Sequence, residues 1–355
     1  MGGHPFDGLI LTGIPVGLAF GFALSRGRFC MNSAFRDIIV LKDYALLKAV
    51  GLAILVSMIG FAIMDEADVI TISPVPLWWG AMMLGGFVFG IGMVIAGGCA
   101  SGITYRVGEG MVGAMAAVAG LILVGLMTTT GVLKDFTSDI RKGTLEMTHE
   151  GAHFTLANAF DVSHYIMALA IAGAILILWA FLSRRGGNAE VEAEAEEEKI
   201  PWKERIFKRG WGWMPTGIVI GLVGIVAFYA SSEADRMYPL GICGGYWTTV
   251  KSLILGENHM TWLSVMLLST IVGAFIAAFL GGEFKLRAPS PRTILQCFGG
   301  GCIMGFGAGV AGGCNITHIL SGVPQLALSS MLAGAFIILG CWAAAWWMFL
   351  RQPGE

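Results

Sequence analysis

Apolar stretches of about twenty residues recur along the chain, at roughly 8–25, 45–64, 77–96, 110–131, 163–182, 211–230, 261–281, 293–311 and 327–349. Each is long enough to cross the hydrocarbon core of a bilayer as a helix. The pattern therefore predicts an all-α integral membrane protein of about nine transmembrane helices. The first stretch has no basic residues ahead of it, and Arg26 and Arg28 follow it. It reads as a retained span rather than a signal peptide.

Polar positions set the orientation. With the N-terminus outside, 17 Lys and Arg residues fall on the inner side and 5 on the outer, the latter being Lys134, Arg141, Lys142, Arg236 and Lys251. Basic residues in short loops favour the cytoplasm, so the N-terminus is expected outside and the C-terminus inside. Between the fifth and sixth spans lies a polar linker, roughly 183–210, with an acidic run from Glu190 to Glu198 followed by a basic cluster. The acidic run reads as a solvated tether. Trp202, Arg205, Phe207, Trp211 and Trp213 then read as an interfacial anchor.

Composition agrees with this pattern. Of 355 residues, 56% are hydrophobic and 13% charged, with a mean hydropathy of +0.75. A soluble domain carries about 25% charged residues, so this chain lacks the shell a water-soluble enzyme needs. The 22 Lys and Arg nearly balance 24 Asp and Glu, which gives no reason to expect a nucleic-acid partner. No Gly-Lys dipeptide occurs, hence no P-loop and no ATP-driven pump. The seven Cys include no CxxC pair, so neither a redox dithiol nor a clustered zinc site is indicated, and no cofactor is expected.

The clearest internal likeness is Ala96-Gly97-Gly98-Cys99 against Ala311-Gly312-Gly313-Cys314, an offset of 215, each after a Gly-studded span. Cys30 and Cys243 stand 213 apart, each shortly after the first span of its half. These matches suggest a four-span unit used twice, residues 1–131 and 211–355, with 132–210 holding an outer loop, the fifth span and the linker. Five spans separate the two starts, so the copies have opposite orientations, as in inverted-repeat transporters. The segments GRFCMNSAFRDII, GGCASGITYRV, GICGGYWTTV and GGCNITHIL are too short and polar to cross the bilayer. They read as four short re-entrant broken helices, since irregular backbone survives at membrane depth only inside protein or along a cavity. Gly-Gly before Cys allows a chain reversal and leaves a helix N-terminus that suits an anion.

Candidate chemistry follows from these places. Cys99 and Cys314 sit at matching breaks, and Cys30 lies in a polar segment with Asn32. Cys243 has an aromatic neighbourhood, and Gly97, Gly98, Gly312, Gly313, Asn315 and His318 flank the later cysteines in a supporting role. Cys297, Cys302 and Cys341 lie inside apolar spans and read as core. Gly301, Gly305, Gly309 and Gly313, like Gly86 and Gly90, recur every four residues, which suits close helix packing. Arg28, Arg36 and Arg106 could draw in an anion, but their inner location already satisfies the orientation rule.

GRFCMNSAFRD, AGGCASG and AGGCNITH together resemble the motifs of the YeeE/YedE family of bacterial sulfur transporters. The resemblance covers both halves and leaves out the acidic linker. It implies an hourglass fold of nine spans and four short broken helices in the bacterial inner membrane. It further implies uptake of thiosulfate, with Cys30, Cys99 and Cys314 handling the substrate. Relatives linked to selenium metabolism make a selenium compound the alternative cargo, and a cytoplasmic sulfur-carrier protein could collect the product. Mechanistically, an unperturbed Cys thiol ionises at about pH 8.5, so near neutrality it is a weak S–H donor. Three such donors in series could bind and release a dianion, which conduction requires. A membrane thiol sulfurtransferase is the competing class; His318 near Cys314 keeps it open, while missing bases near Cys30 and Cys99 argue against it.

Overall fold

The computed structural model describes residues 8–146, 154–183, 202–254, 256 and 260–351. A short 3-10 turn, Gly8–Thr12, leads into α1 (Gly13–Arg26), α2 (Met31–Val40) and α3 (Ala45–Glu66). Strand β1 (Leu77–Trp78) precedes α4 (Trp79–Ile95), α5 (Ala100–Gly108), α6 (Val112–Thr129) and α7 (Lys134–Gly143). Strand β2 (Leu145–Glu146) pairs antiparallel with β1, and α8 (Leu156–Ala159) and α9 (His164–Ser183) follow. Next come α10 (Trp202–Phe207), α11 (Trp213–Ser232), α12 (Cys243–Ile254), α13 (Trp262–Leu280) and α14 (Pro291–Ala311). A π-helical segment, Ile316–Gly322, α15 (Leu328–Ala345) and a last π-turn, Trp346–Leu350, complete the order.

Among the described residues, eight helical stretches are long and apolar enough to cross a membrane. The helix His164–Ser183 fills the remaining predicted stretch, although its described apolar part, 164–177, is shorter than that measure. The surface bears this reading out. Leu84, Leu123, Leu222, Val226, Val272, Phe279, Leu295 and Leu339 are exposed on the long helices. Such a spread of exposed apolar side chains is unfavourable in water and at home among lipid tails. The chain is an all-α, multi-pass membrane protein. Residues Glu190–Glu198 of the acidic run lie outside the described residues.

Small residues account for the packing. Helix α14 lies against α6 and α4, α15 against α4, α1 against α13, and α11 against α3. A Cβ on Gly305 would sit 2.5 Å from the Leu121 carbonyl, and one on Gly86 would sit 2.8 Å from that of Ala333. Gly301 and Gly309 are pressed equally hard against Ala117 and Thr128. Three members of the four-residue stripe thus seat α14 on α6. In a bilayer, where burying apolar surface gives helices no advantage over lipid, such backbone approach is what makes dispersion contacts effective. Phe207 and Trp211 ring the Phe22 side chain at 5.9 and 6.0 Å, so this part of the expected anchor is packed onto α1.

Candidate functional site

The site is built from helix beginnings. After α1 the chain turns through Gly27–Phe29, and Cys30, in extended conformation, is the residue that opens α2. After α4, Gly97 adopts φ 73°, a left-handed value open to Gly at little cost. Gly98 follows, and Cys99 opens α5, its sulfur accepting the Gly102 N–H at 3.3 Å. Both cysteines are buried, at 2% and 0% exposure, and their sulfurs lie 3.7 Å apart. Cys99 also meets the Ser101 hydroxyl at 3.3 Å. A Cβ on residue 102 would come within 2.6 Å of the Cys30 sulfur, so only Gly at that place admits the pair.

The second half repeats the plan with different details. Cys243 begins α12, Gly312 reverses the chain at φ 84°, and Cys314 follows Gly313. The Cys314 sulfur lies 3.7 Å from the Thr317 hydroxyl, and Cys314 and Cys243 are both fully buried in the same core and within electrostatic reach of each other. Cys243 in turn stands within electrostatic reach of Cys99. Two contacts tie the halves together: the hydroxyls of Thr104 and Tyr246 at 3.1 Å, and the Asn315 amide donating to the Met31 sulfur at 3.1 Å. The structure therefore gathers Cys30, Cys99, Cys243 and Cys314 into one buried cluster at the meeting of short helices.

The supporting residues divide. Asn32 is fully buried, with Cys341 donating to its side-chain oxygen at 3.7 Å and its own amide N–H groups unpartnered among the described residues. Asn315 likewise keeps an unpartnered oxygen. His318 is fully buried, its Nδ1 reaching the Ser330 hydroxyl at 3.2 Å on α15 and its Nε2 without a partner among the described residues. Cys297 and Cys302 are half-buried beside Gly113 and Gly120 of α6, a packing role in keeping with their apolar spans.

Ser101, Gly102 and Thr317 were not singled out by sequence, yet each touches a sulfur. Their only signal is spacing, two or three residues beyond a helix-opening Cys, where side chains and amides return to the first turn. Arg106, which the sequence offers as a cation that could draw in an anion, and Arg141, which the sequence offers only as an orientation signal, each reach a glycine break. Arg106 donates to the Gly97 carbonyl, and Arg141 donates from Nε to the Val310 carbonyl at 3.1 Å and from Nη2 to that of Gly309.

Paired charges lie at the end of α1. Arg26 meets Glu283 at 2.7 Å and Arg28 meets the same carboxylate at 3.3 Å. The Ser25 hydroxyl donates to Glu109 at 3.0 Å. Burial pushes the Glu109 carboxyl above the usual carboxylate range, partly offset by Ser25, Arg28 and Arg106. Among the described residues no group of three His, Cys, Asp or Glu side chains is arranged to hold a metal ion.

This geometry sits within a recognisable lineage. A thiosulfate transporter, TsuA, of Spirochaeta thermophila is 40% identical over 351 residues, spanning 97% of this chain and 100% of that protein. A thiosulfate transporter of the same name from Escherichia coli is 30% identical over 344 residues, spanning 97% of this chain and 96% of its own. A probable transporter, YedE, of Escherichia coli is 36% identical over 166 residues, 41% of each chain. Residues 26–343 match the family described as Sulphur transport. The chain therefore belongs to the sulphur transport family.

Proposed function

We propose that this protein imports thiosulfate across the bacterial inner membrane, passing the dianion through the cysteine cluster without covalent change. The observation that carries the reading is the cluster itself: Cys30 and Cys99 at 3.7 Å, each opening a short helix, with Cys243 within electrostatic reach of both Cys99 and Cys314. Helix beginnings supply roughly half a positive charge each, and thiols add weak donors. That is enough to draw in a dianion and too little to hold it. Cys30, Cys99 and Cys314 act as the relay, Cys243 adjoins it, and Gly97, Gly98, Gly312 and Gly313 shape the two breaks.

The matching left-handed glycines, 97 and 312, support reading residues 1–131 and 211–355 as inverted copies whose four short helices re-enter the membrane. The Lys and Arg bias supports a periplasmic N-terminus and a cytoplasmic C-terminus. Moving a dianion inward against an inside-negative potential costs about 4.6 kcal/mol per 100 mV. Uptake therefore needs the product withdrawn, and a cytoplasmic sulfur-carrier protein would do so. Transport is favoured over sulfurtransfer because His318, the nearest candidate base in sequence, faces Ser330.

The test is uptake of labelled thiosulfate into proteoliposomes holding the purified chain, competed by sulfate, sulfite and selenite. Saturable thiosulfate entry is expected. Entry of selenite with exclusion of thiosulfate assigns the selenium alternative instead, and a persulfide on the protein by intact mass assigns group transfer.

A further inference from the structure

We propose that Arg106 and Arg141 form two anion-recognition points, one at each glycine break, that hold the oxygen end of the substrate while the thiols meet its sulfur. The inference rests on the transport reading above and adds to it the residues that set affinity. Arg106 lies on the Gly97–Gly98 break: it donates to the Gly97 carbonyl, and a Cβ on Gly98 would be 3.2 Å from its Nη1. It stands within electrostatic reach of Cys30 and Cys99. Arg141 lies on the other break, with Nη2 3.5 Å from where a Gly312 Cβ would be, and its guanidinium is held 4.5 Å from the Trp78 ring centre.

The two residues have unrelated origins in the chain. Arg106 comes seven positions after its cysteine, on α5, whereas Arg141 comes from α7, outside the AGGC-bearing segments. Two unrelated elements thus deliver a guanidinium to the same backbone feature. A purely structural reading is that each satisfies orphan carbonyls at a helix end. That use takes one or two of the five N–H donors of a guanidinium and supplies no carboxylate contact; Glu109 stands within electrostatic reach of Arg106 but outside salt-bridge range.

Among the arginines that are not exposed, charge pairing separates these residues from Arg26 and Arg36; Arg209, Arg287, Arg292 and Arg351 also lack a carboxylate partner among the described residues, but they are exposed to solvent. Arg26 and Arg28 share Glu283, and Arg36 has Asp37 at 2.7 Å. Among the described residues neither Arg106 nor Arg141 has a carboxylate within salt-bridge range. Arg236 also lacks one, but its guanidinium closes on the carbonyls of its own loop, Tyr238 and Pro239. A half-buried cation without a counter-charge in contact is costly, and an entering oxyanion supplies one. The free edge of a guanidinium fork fits two oxygens of a sulfonate. Because sulfate offers the same oxygens, the arginines set affinity for oxyanions in general, and the thiols set the preference among them.

The test uses Arg106→Gln, Arg141→Gln and the corresponding Lys variants of the full chain in detergent. Binding of thiosulfate, sulfate and selenite is measured by calorimetry, alongside thermal unfolding and vesicle uptake. Each Gln variant is expected to weaken binding of all three anions roughly tenfold or more, the loss of a charge-assisted bond. The Lys variants should fall between, with unfolding temperatures near wild type. Unchanged anion affinity in both Gln variants overturns the inference, as does a lowered unfolding temperature with unchanged affinity in the folded fraction. Arginine-dependent binding in a protein that carries no thiosulfate sinks the transport reading and leaves this inference standing. A wild-type protein that binds none of the three anions overturns both.

Discussion

The two glycine breaks share a tetrapeptide, Ala-Gly-Gly-Cys, and a backbone, with left-handed Gly97 and Gly312 at φ 73° and 84°. Their surroundings differ. A Cβ on Gly97 would meet nothing within 4 Å, whereas one on Gly312 would strike the Trp78 ring at 2.8 Å. Beyond Cys99 the chain runs as a regular helix capped by the sulfur itself, while beyond Cys314 it winds as a π-helix with no side-chain cap. The same local sequence thus builds an open break at Gly97 and a covered one at Gly312. The cover comes from the β1–β2 pair and α7, which lie outside the AGGC motif. The asymmetry between the two breaks is therefore carried by segments outside the shared motif.

Several substitutions break or sharpen that contrast. The largest effect is expected at the cysteines: Cys314→Ala should lower the initial rate of thiosulfate uptake more than tenfold. Cys243→Ala, beside it, should lower the rate less, because Cys314 keeps its contact with Thr317. Equal rates in the two variants would show that Cys243 and Cys314 are not graded in this way.

Next comes stability. Gly97→Ala should cost about 1 kcal/mol, the ordinary penalty of a side chain in the left-handed region. Gly312→Ala should cost at least about 1 kcal/mol more, since overpacking adds to the same penalty. Thermal or denaturant unfolding of the two purified variants reads the difference, and matched losses would remove the steric distinction between the breaks.

The smallest effect concerns Glu109, just after α5. Its carboxyl is raised by burial, so ionising it costs folding free energy. Its contribution is favourable at acid pH and is lost as pH rises through the raised value. Glu109→Gln should therefore unfold at a higher temperature than wild type near pH 8, and the gap should close near about pH 4, below the ordinary carboxylate value. A gap of the opposite sign at pH 8 would mean that Ser25, Arg28 and Arg106 outweigh burial.

Much of this was legible in the sequence because bilayers impose coarse rules. Eight long apolar helices fall within a few residues of their expected stretches; α11, for example, covers Trp213–Ser232 where 211–230 was read. Cys99 and Cys314 were legible because Gly-Gly-Cys marks a broken span twice. The Gly301–Gly305–Gly309 stripe was legible because its period matches a helix face. What pattern could not supply was direction in space. His318 stood four residues from Cys314 and suggested chemistry, but a π-helical turn carries its ring to Ser330. Arg141 counted only against the orientation rule, because nothing local in an outer loop says which helix end it will touch. Cys243 looked ordinary among aromatic residues, yet the crossing of α12 with α5 at Tyr246 and Thr104 brings it to the cluster.

The central claim is that the substrate crosses through the thiols without reacting with them, and Cys99 is where it is most exposed to test. Its sulfur alone touches Cys30, Ser101 and the Gly102 amide. The decisive measurement is the initial uptake rate of labelled thiosulfate by Cys99→Ala in proteoliposomes, with folding checked by its unfolding transition. The account predicts a rate at least tenfold below wild type, and no mass added to the wild-type protein during transport. A folded Cys99→Ala protein that imports thiosulfate at the wild-type rate would contradict it.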